Sequence, residues 1–209
     1  MIKTDPTYTE HEVSRILRES EDQSVSKSDK GKGHAEQQHE LQARGKNRAS
    51  TTTERLQLRI VGIDVFDKSG FSPDKSGAFD GCQAAAIAFA LNKKAGGTAI
   101  SLLCRETCEF VEVEIDISNG SFRMIGYDIA ALEPAPSGAR FIAGPKGLIL
   151  PGILKEIRTT AKGIWMKMMK TADKSLHIRT AYPLAVAPNP PRAKVHWRRG
   201  GILEQVLPV

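Results

Sequence analysis

Two hydroxyl-bearing residues near the end of the chain, Thr180 and Tyr182, are the clearest candidates for chemistry. They lie in an apolar run that predicts a strand ending at Pro183. Because successive side chains of a strand point to opposite faces, residues two apart share a face. Two adjacent hydroxyls can bind phosphate oxygens, and a tyrosine can also donate a proton. The alternative is that both are ordinary strand residues and that Pro183 only ends the strand.

His177 and Arg179 lie on the same predicted strand, but one residue out of step with Thr180 and Tyr182. Regular alternation places His177 and Arg179 together on the opposite face. We therefore expect them to contribute less to a site built around the two hydroxyls.

The composition favours an acidic partner and gives no sign of a metal centre. The chain has 209 residues and a formal net charge of +6. Such a charge suits nucleic acid, an anionic membrane surface or an acidic inhibitor protein, although many proteins carry it without a polyanionic partner. Cys82, Cys104 and Cys108 are too few for a disulfide framework, and no second Cys or His pair stands nearby to complete a zinc site. We expect no metal and no cofactor.

The distribution of apolar residues predicts no membrane span. No run reaches about 18 apolar residues, and residues 1–6 lack the apolar core of a signal peptide. We expect a cytoplasmic location, in the producing cell or in a target cell.

The first fifty residues are mostly polar. Residues 7–21 predict a short helix with an apolar stripe of Val13, Ile16 and Leu17, and Thr9 followed by Glu12 predicts a capping box. Such a stripe can dock on a partner or on the main domain. Residues 22–53 read as a linker or a loosely held surface segment.

The remaining chain predicts an α+β fold, with an N-terminal helix or helices followed by an antiparallel sheet meander. Residues 54–66 predict a strand, with a helix ending near Gly62 as the open alternative. Residues 80–94 predict the clearest helix, and Asn119-Gly120 predicts a hairpin between strands. Further predictions are strands at 98–104, 110–117, 121–127, 162–169 and 175–182, loops at 67–77 and 134–152, and an extended basic tail from 187.

Several short motifs, in order along residues 33–184, resemble the RNase A-like toxin domains of bacterial contact-dependent inhibition systems, within the Barnase–EndoU–Colicin–RelE superfamily. The most specific is the closing Thr-Ala-Tyr-Pro, here residues 180–183. The others are Gly33-His34 followed by His39, a Leu-x-x-Arg segment at 56–59, and Phe79-Asp80 before an alanine-rich helix.

The resemblance implies a metal-independent endoribonuclease toxin that cleaves RNA, such as tRNA, by attack of its own 2′-hydroxyl. It implies His39 as the principal base or acid, His34 as the second, Arg59 on the phosphate, and Thr180 and Tyr182 completing the site. The gap from His39 to Arg59 is longer than the family pattern, so Arg44 and Arg48 are rivals to Arg59 for the role on the phosphate. Candidate RNA contacts are Arg44, Arg48, Lys170, His177 and Arg179.

The resemblance also implies RNA and a cognate immunity or antitoxin protein as partners. It divides the chain into a flexible N-terminal segment with a short helix (1–32), a ribonuclease-like toxin domain (33–186) and a basic Pro-rich tail (187–209). His196, followed by Trp197 and Arg198, could stack on nucleic acid from that tail. The alternatives are a non-catalytic nucleic-acid-binding module and a protein-interaction module that docks through the N-terminal stripe.

Overall fold

The structure, a computed structural model, describes residues 2, 7–21, 23, 35–41, 52–60, 75–134, 152–198 and 200–209. It confirms the α+β class, with a helix near the N-terminus followed by antiparallel sheets. The described helices are α1 (Glu10–Ser20), α2 (Ala35–His39), α3 (Thr53–Ile60), α4 (Gln83–Leu91) and α5 (Lys94–Cys104). The strands are β1 (Lys75–Phe79), β2 (Cys108–Asp116), β3 (Arg123–Asp128), β4 (Leu132–Pro134), β5 (Gly152–Leu154), β6 (Ile157–Thr160), β7 (Gly163–Lys170), β8 (Leu176–Leu184), β9 (Arg192–Trp197) and β10 (Ile202–Val206).

The predicted N-terminal helix is confirmed, and its apolar face is part of the main core. The Thr9 side chain accepts a hydrogen bond from the Glu12 backbone, and the Glu12 carboxylate accepts one from the Thr9 backbone. Val13, Ile16 and Leu17 are buried, and α1 packs on α4 and β8. The apolar stripe is therefore occupied within the chain, which removes the feature that favoured docking on another protein.

The main sheet has the strand order β10-β9-β2-β7-β8, and all its described pairings are antiparallel. One face is apolar and packs against α4 and α5. The other face carries the alternate residues of the same strands, which are mainly polar and aromatic. Buried on the apolar face are Val111, Val113, Ile115, Ile164, Met166, Met168, Ile178, Ala181, Ala193 and Val195.

The prediction of an extended tail from residue 187 is wrong. Strand β9 pairs with β2 inside the main sheet, and β10 pairs with β9 at its edge. Ala193 and Val195 are buried, while Arg192, Lys194 and His196 lie between or beside them. This alternation is a strand pattern that the preceding prolines obscured in the sequence.

The predicted strand at 98–104 is also wrong, because these residues form the second half of α5. Gly96-Gly97 predicts the end of the helix over residues 80–94, yet both glycines lie within α5. A Cβ at Gly96 would lie 2.6 Å from the Leu91 Cα. The missing side chain therefore permits two consecutive helices to meet closely at the end of α4.

A second, smaller sheet of order β1-β3-β6 carries α3. Residues 53–60 form a helix, the alternative left open in the sequence, and not the strand, since Leu56 and Ile60 bury one helical face against Ala78 and Ile125. The predicted hairpin at Asn119-Gly120 is wrong, because β3 leaves β2 and pairs with β1 and β6 instead.

Strands β7 and β8 confirm the predicted pair of antiparallel strands. Strands β4 and β5 flank residues 135–151, so most of the predicted loop at 134–152 lies outside the described residues. None of the helices in the described ranges is long and apolar enough to cross a membrane.

Candidate active site on the polar face of the main sheet

The polar face brings Thr180 and Tyr182 together at the edge strand β8. Tyr182 pairs with Trp165 of β7, and Thr180 pairs with Lys167. Ala181, between the two hydroxyl residues, points into the apolar core. The predicted sharing of one face by Thr180 and Tyr182 therefore holds in the structure.

His39 reaches this face from a distant part of the chain. It is the last residue of α2, a five-residue helix that packs on β8 and β1. The centroid of its ring lies 5.4 Å from that of Tyr182, and its Nδ1 lies 3.4 Å from the Gly77 carbonyl oxygen. The rings of an imidazole and a phenol are thus in contact, although their residues are far apart in the sequence.

Tyr182 is held as a neutral hydrogen-bond donor. Its ring stacks on Trp165, with centroids 4.9 Å apart and an interplanar angle of 17°. Burial raises the pKa of the Tyr182 hydroxyl to about 12, and the charges of Glu114 and Glu112 add to the effect. At neutral pH the hydroxyl keeps its proton and can donate a hydrogen bond to a phosphate oxygen.

Thr180 is 8% exposed, and its Oγ1 finds no hydrogen-bond partner among the described residues. A buried hydroxyl left unpaired costs about 1–3 kcal/mol. Such a group needs a reason to be retained, and functional sites are one place where the cost is tolerated.

Lys167 supplies a cation in the same row as Thr180, and the sequence analysis did not single it out. It lies between Thr180 on β8 and Glu112 on β2. Its Nζ stands 3.7 Å from the centroid of the Phe110 ring. Burial lowers the pKa of Lys167, while Glu112 and Glu109 act in the opposite direction.

The predicted phosphate ligand Arg59 is carried by a different helix from His39. It lies on α3, which packs on β1 and β3, and it is 8% exposed. Strand β1 also contacts α2 and β8, so it adjoins both α3 and the elements that carry His39 and Tyr182. The role assigned to Arg59 stays a prediction. Lys167 pairs with Thr180 in the sheet, and its Nζ lies over the Phe110 ring.

The acidic residues Glu112 and Glu114 were also missed as part of the site. They were recognised only as the acidic side of an alternating strand. Glu114 pairs with Trp165 and Glu112 with Lys167, so both lie two strands from the hydroxyl pair, with β7 between them. The alternation in β2 was the available signal, but the strand neighbours of β2 could not be read from it.

His177 does share a face with Thr180 and Tyr182, so the parity prediction is wrong. The pairing slips between Lys167 and Met168, which leaves Arg179 as an extra residue in β8. A β-bulge of this kind restores residue 177 to the polar side. His177 is only 3% exposed, and burial lowers its pKa to about 4. A neutral, buried imidazole is poorly suited to the predicted contact with RNA.

Lys170 and Arg179 are the other predicted RNA contacts that the structure describes. Lys170 is the last residue of β7, and its Nζ donates to the Arg105 carbonyl oxygen. Arg179 is the half-buried bulge residue of β8. His34, Arg44 and Arg48 lie outside the described residues.

A second ring cluster occupies the polar face at β2 and β9. Phe110 and His196 stack with centroids 3.9 Å apart, and His196 Nε2 lies 3.5 Å from a Glu112 carboxylate oxygen. His196 therefore belongs to the sheet and not to a free basic tail.

The described residues contain no group of three or more His, Cys, Asp or Glu side chains arranged to hold a metal ion. Comparison with protein-family models, curated proteins and solved structures finds no match to this chain.

Proposed function

We propose that this protein is a metal-independent endoribonuclease that cleaves RNA by attack of the 2′-hydroxyl on the adjacent phosphate. The observation that carries the proposal is the 5.4 Å approach of the His39 and Tyr182 rings. Proton transfer by histidine is effective near neutral pH, and a positioned donor stabilises the charge that develops on the phosphate.

In this reaction His39 exchanges a proton with the 2′-hydroxyl or with the departing 5′-oxygen. The Tyr182 hydroxyl donates to a non-bridging phosphate oxygen, and Lys167 balances the added negative charge. A second proton-transfer group is needed because one proton leaves the nucleophile and another reaches the leaving group. His34 is the group that the family resemblance implies, and Glu114 is the candidate among the described residues.

The substrate that suits this face is single-stranded RNA. Half-buried Trp165 and Tyr182 offer aromatic surfaces, and unpaired bases stack on such side chains. Arg192 and Lys194 are exposed on β9, in register with Glu114 and Glu112. These cations extend the polar face with charge that attracts phosphates.

The experiment uses purified protein and total RNA or tRNA in EDTA, with analysis of the product ends. Wild type should release 2′,3′-cyclic phosphate ends, while His39→Ala and Tyr182→Phe should be impaired. His11→Ala is the matched control, because His11 is exposed on α1. Equal cleavage by all four proteins would refute the assigned residues, and no cleavage by wild type would refute the reaction.

A non-catalytic nucleic-acid-binding module is the second candidate, favoured by the aromatic and basic side chains of the same face. It would bind RNA with unchanged affinity after His39→Ala and would cleave nothing.

An endoribonuclease of this kind endangers the cell that makes it, so we also propose a dedicated inhibitor protein. A basic enzyme is best blocked by an acidic partner that covers the face around Tyr182. Co-expression with the product of an adjacent gene should then relieve growth arrest caused by the wild type.

A further inference from the structure

One buried side chain links the helix that carries His39 to the strand that carries the hydroxyl pair. Gln83, the first residue of α4, is 1% exposed. Its Nε2 donates to the Ala35 carbonyl oxygen at 2.8 Å and to the Ala181 carbonyl oxygen at 2.9 Å. Ala35 begins α2, and Ala181 lies between the two hydroxyl residues of β8.

Glu40, the residue after His39, makes the matching attachment at the other end of α2. One carboxylate oxygen accepts the Gly81 N–H at 2.6 Å, and the other accepts the Gln83 N–H at 2.7 Å. The Leu41 N–H then donates to the Phe79 carbonyl oxygen at 2.8 Å. Both ends of α2 are therefore fixed to the segment that begins α4.

These contacts decide where His39 lies, because α2 cannot hold its own shape. A five-residue helix is far below the length at which an isolated helix is stable in water. Its position must come from tertiary contacts, and the hydrogen bonds of Gln83 and Glu40 are specific in direction.

The choice of glutamine at position 83 points the same way. Its Oε1 is buried and has no hydrogen-bond partner among the described residues. An apolar residue of similar size would remove that unpaired acceptor but would leave the carbonyl oxygens of Ala35 and Ala181 without this donor. The amide at position 83 is therefore accounted for by the two bonds that join Ala35 to Ala181.

We propose that Gln83 and Glu40 are positioning residues. Their hydrogen bonds fix α2 to the start of α4 and to β8, and thereby hold His39 against Tyr182. This inference rests on the proposed function, since it assigns these residues a part in RNA cleavage. They do not touch the substrate, and they act through the placement of the His39 ring.

The test compares Gln83→Leu with Ser20→Ala. Ser20 is 2% exposed, and its hydroxyl accepts the Ile178 N–H at 3.1 Å, so its loss removes a buried bond to the same strand without touching α2. Single-turnover cleavage, RNA affinity and the NMR signals of the His39 ring are measured where all variants are folded. Misplacement by about 1 Å can cost about 100-fold in rate.

We expect Gln83→Leu to lower the single-turnover rate about 100-fold with little change in RNA affinity. The His39 ring signals should also lose the shift caused by the nearby Tyr182 ring. Ser20→Ala should keep both the rate and the signals near wild type.

If Gln83→Leu does not fold, Glu40→Gln replaces it, because it keeps the size of the side chain but leaves one of the two N–H groups without an acceptor. Unchanged His39 signals in the folded variant would overturn the proposal that these hydrogen bonds position His39. Shifted signals with an unchanged rate would overturn their part in catalysis. If wild type does not cleave RNA, the proposed function fails, while the His39 signals still decide whether Gln83 and Glu40 position the His39 ring.

Discussion

The polar face of the main sheet carries two ring clusters that are built in different ways. At β8, the Tyr182–Trp165 pair receives His39 from α2, which is distant in sequence. At β2 and β9, Phe110 and His196 are direct cross-strand partners, and the Lys167 Nζ of the neighbouring β7 lies over the Phe110 ring. Cross-strand pairs of this second kind stabilise sheets. The proposed chemistry belongs to the first cluster, and the second is expected to contribute to stability.

The largest expected effect that separates the clusters is on activity. His39→Ala should reduce RNA cleavage by about 100- to 10,000-fold, because it removes a proton-transfer group. The free energy of unfolding should stay close to wild type, since His39 is half-buried at the end of a short helix. Cleavage assays and urea denaturation of the same preparation check both parts. Activity within twofold of wild type would place the chemistry elsewhere.

The next effect concerns the cation beside Thr180. Lys167→Met should lower cleavage by about 10- to 100-fold, because the charge on the reacting phosphate loses its counter-charge. Lys170→Met is the matched control, since Lys170 lies on the same strand but bonds to the Arg105 carbonyl oxygen. Equal losses in the two variants would show that only general basic charge matters.

The pH dependence of stability should reveal two buried groups with opposite effects. Burial lowers the pKa of His177 from 6.5 to about 4, so its contribution is present above pH 6.5 and is lost as the pH falls through 4. Burial raises the pKa of Glu40 from 4.5 to about 7, against the Gln83 and Gly81 N–H groups and with added repulsion from Asp80. Its contribution is present below pH 4.5 and is lost as the pH rises through 7.

Urea denaturation between pH 4 and 8 separates the two. Each shift corresponds to an upper limit of about 3 kcal/mol. His177→Gln should leave a protein whose stability falls as the pH rises from 4.5 to 7, and Glu40→Gln one whose stability falls as the pH drops from 6.5 to 4. Parallel curves for both variants and wild type would contradict this account of the two groups.

The smallest expected effect belongs to the second ring cluster. His196→Ala should lower the free energy of unfolding by about 1 kcal/mol, because it removes a ring stacked on Phe110. Cleavage should remain within a few-fold of wild type, as measured under single-turnover conditions. A loss of activity as large as that of His39→Ala would make this cluster part of the active site.

Local sequence patterns predicted the elements whose form depends on neighbouring residues in the chain. The capped helix α1, the strand that carries Thr180-Ala181-Tyr182 and the α+β class all follow from periodicity and turn residues, although β8 continues past the predicted end to Leu184. The interpretation of residues 187–209 failed because prolines obscured β9, and that of His177 failed because a bulge at Arg179 breaks regular alternation. This bulge is identified from the pairing of β8 with β7.

The candidate site divides in the same way. His39, Thr180 and Tyr182 could be named from residue types and a family resemblance. Lys167 could not, because only the pairing of β7 with β8 places it beside Thr180. Gln83 could not either, since its contacts join residues 48 and 98 positions away along the chain.

A double-mutant cycle on single-turnover RNA cleavage tests most directly whether His39 and Tyr182 act on one phosphate. The proteins are wild type, His39→Ala, Tyr182→Phe and the double variant. Groups that act as a unit are strongly non-additive, so the double variant should be little slower than His39→Ala alone. Rate losses that multiply fully, each variant acting as if the other were absent, would contradict a shared site.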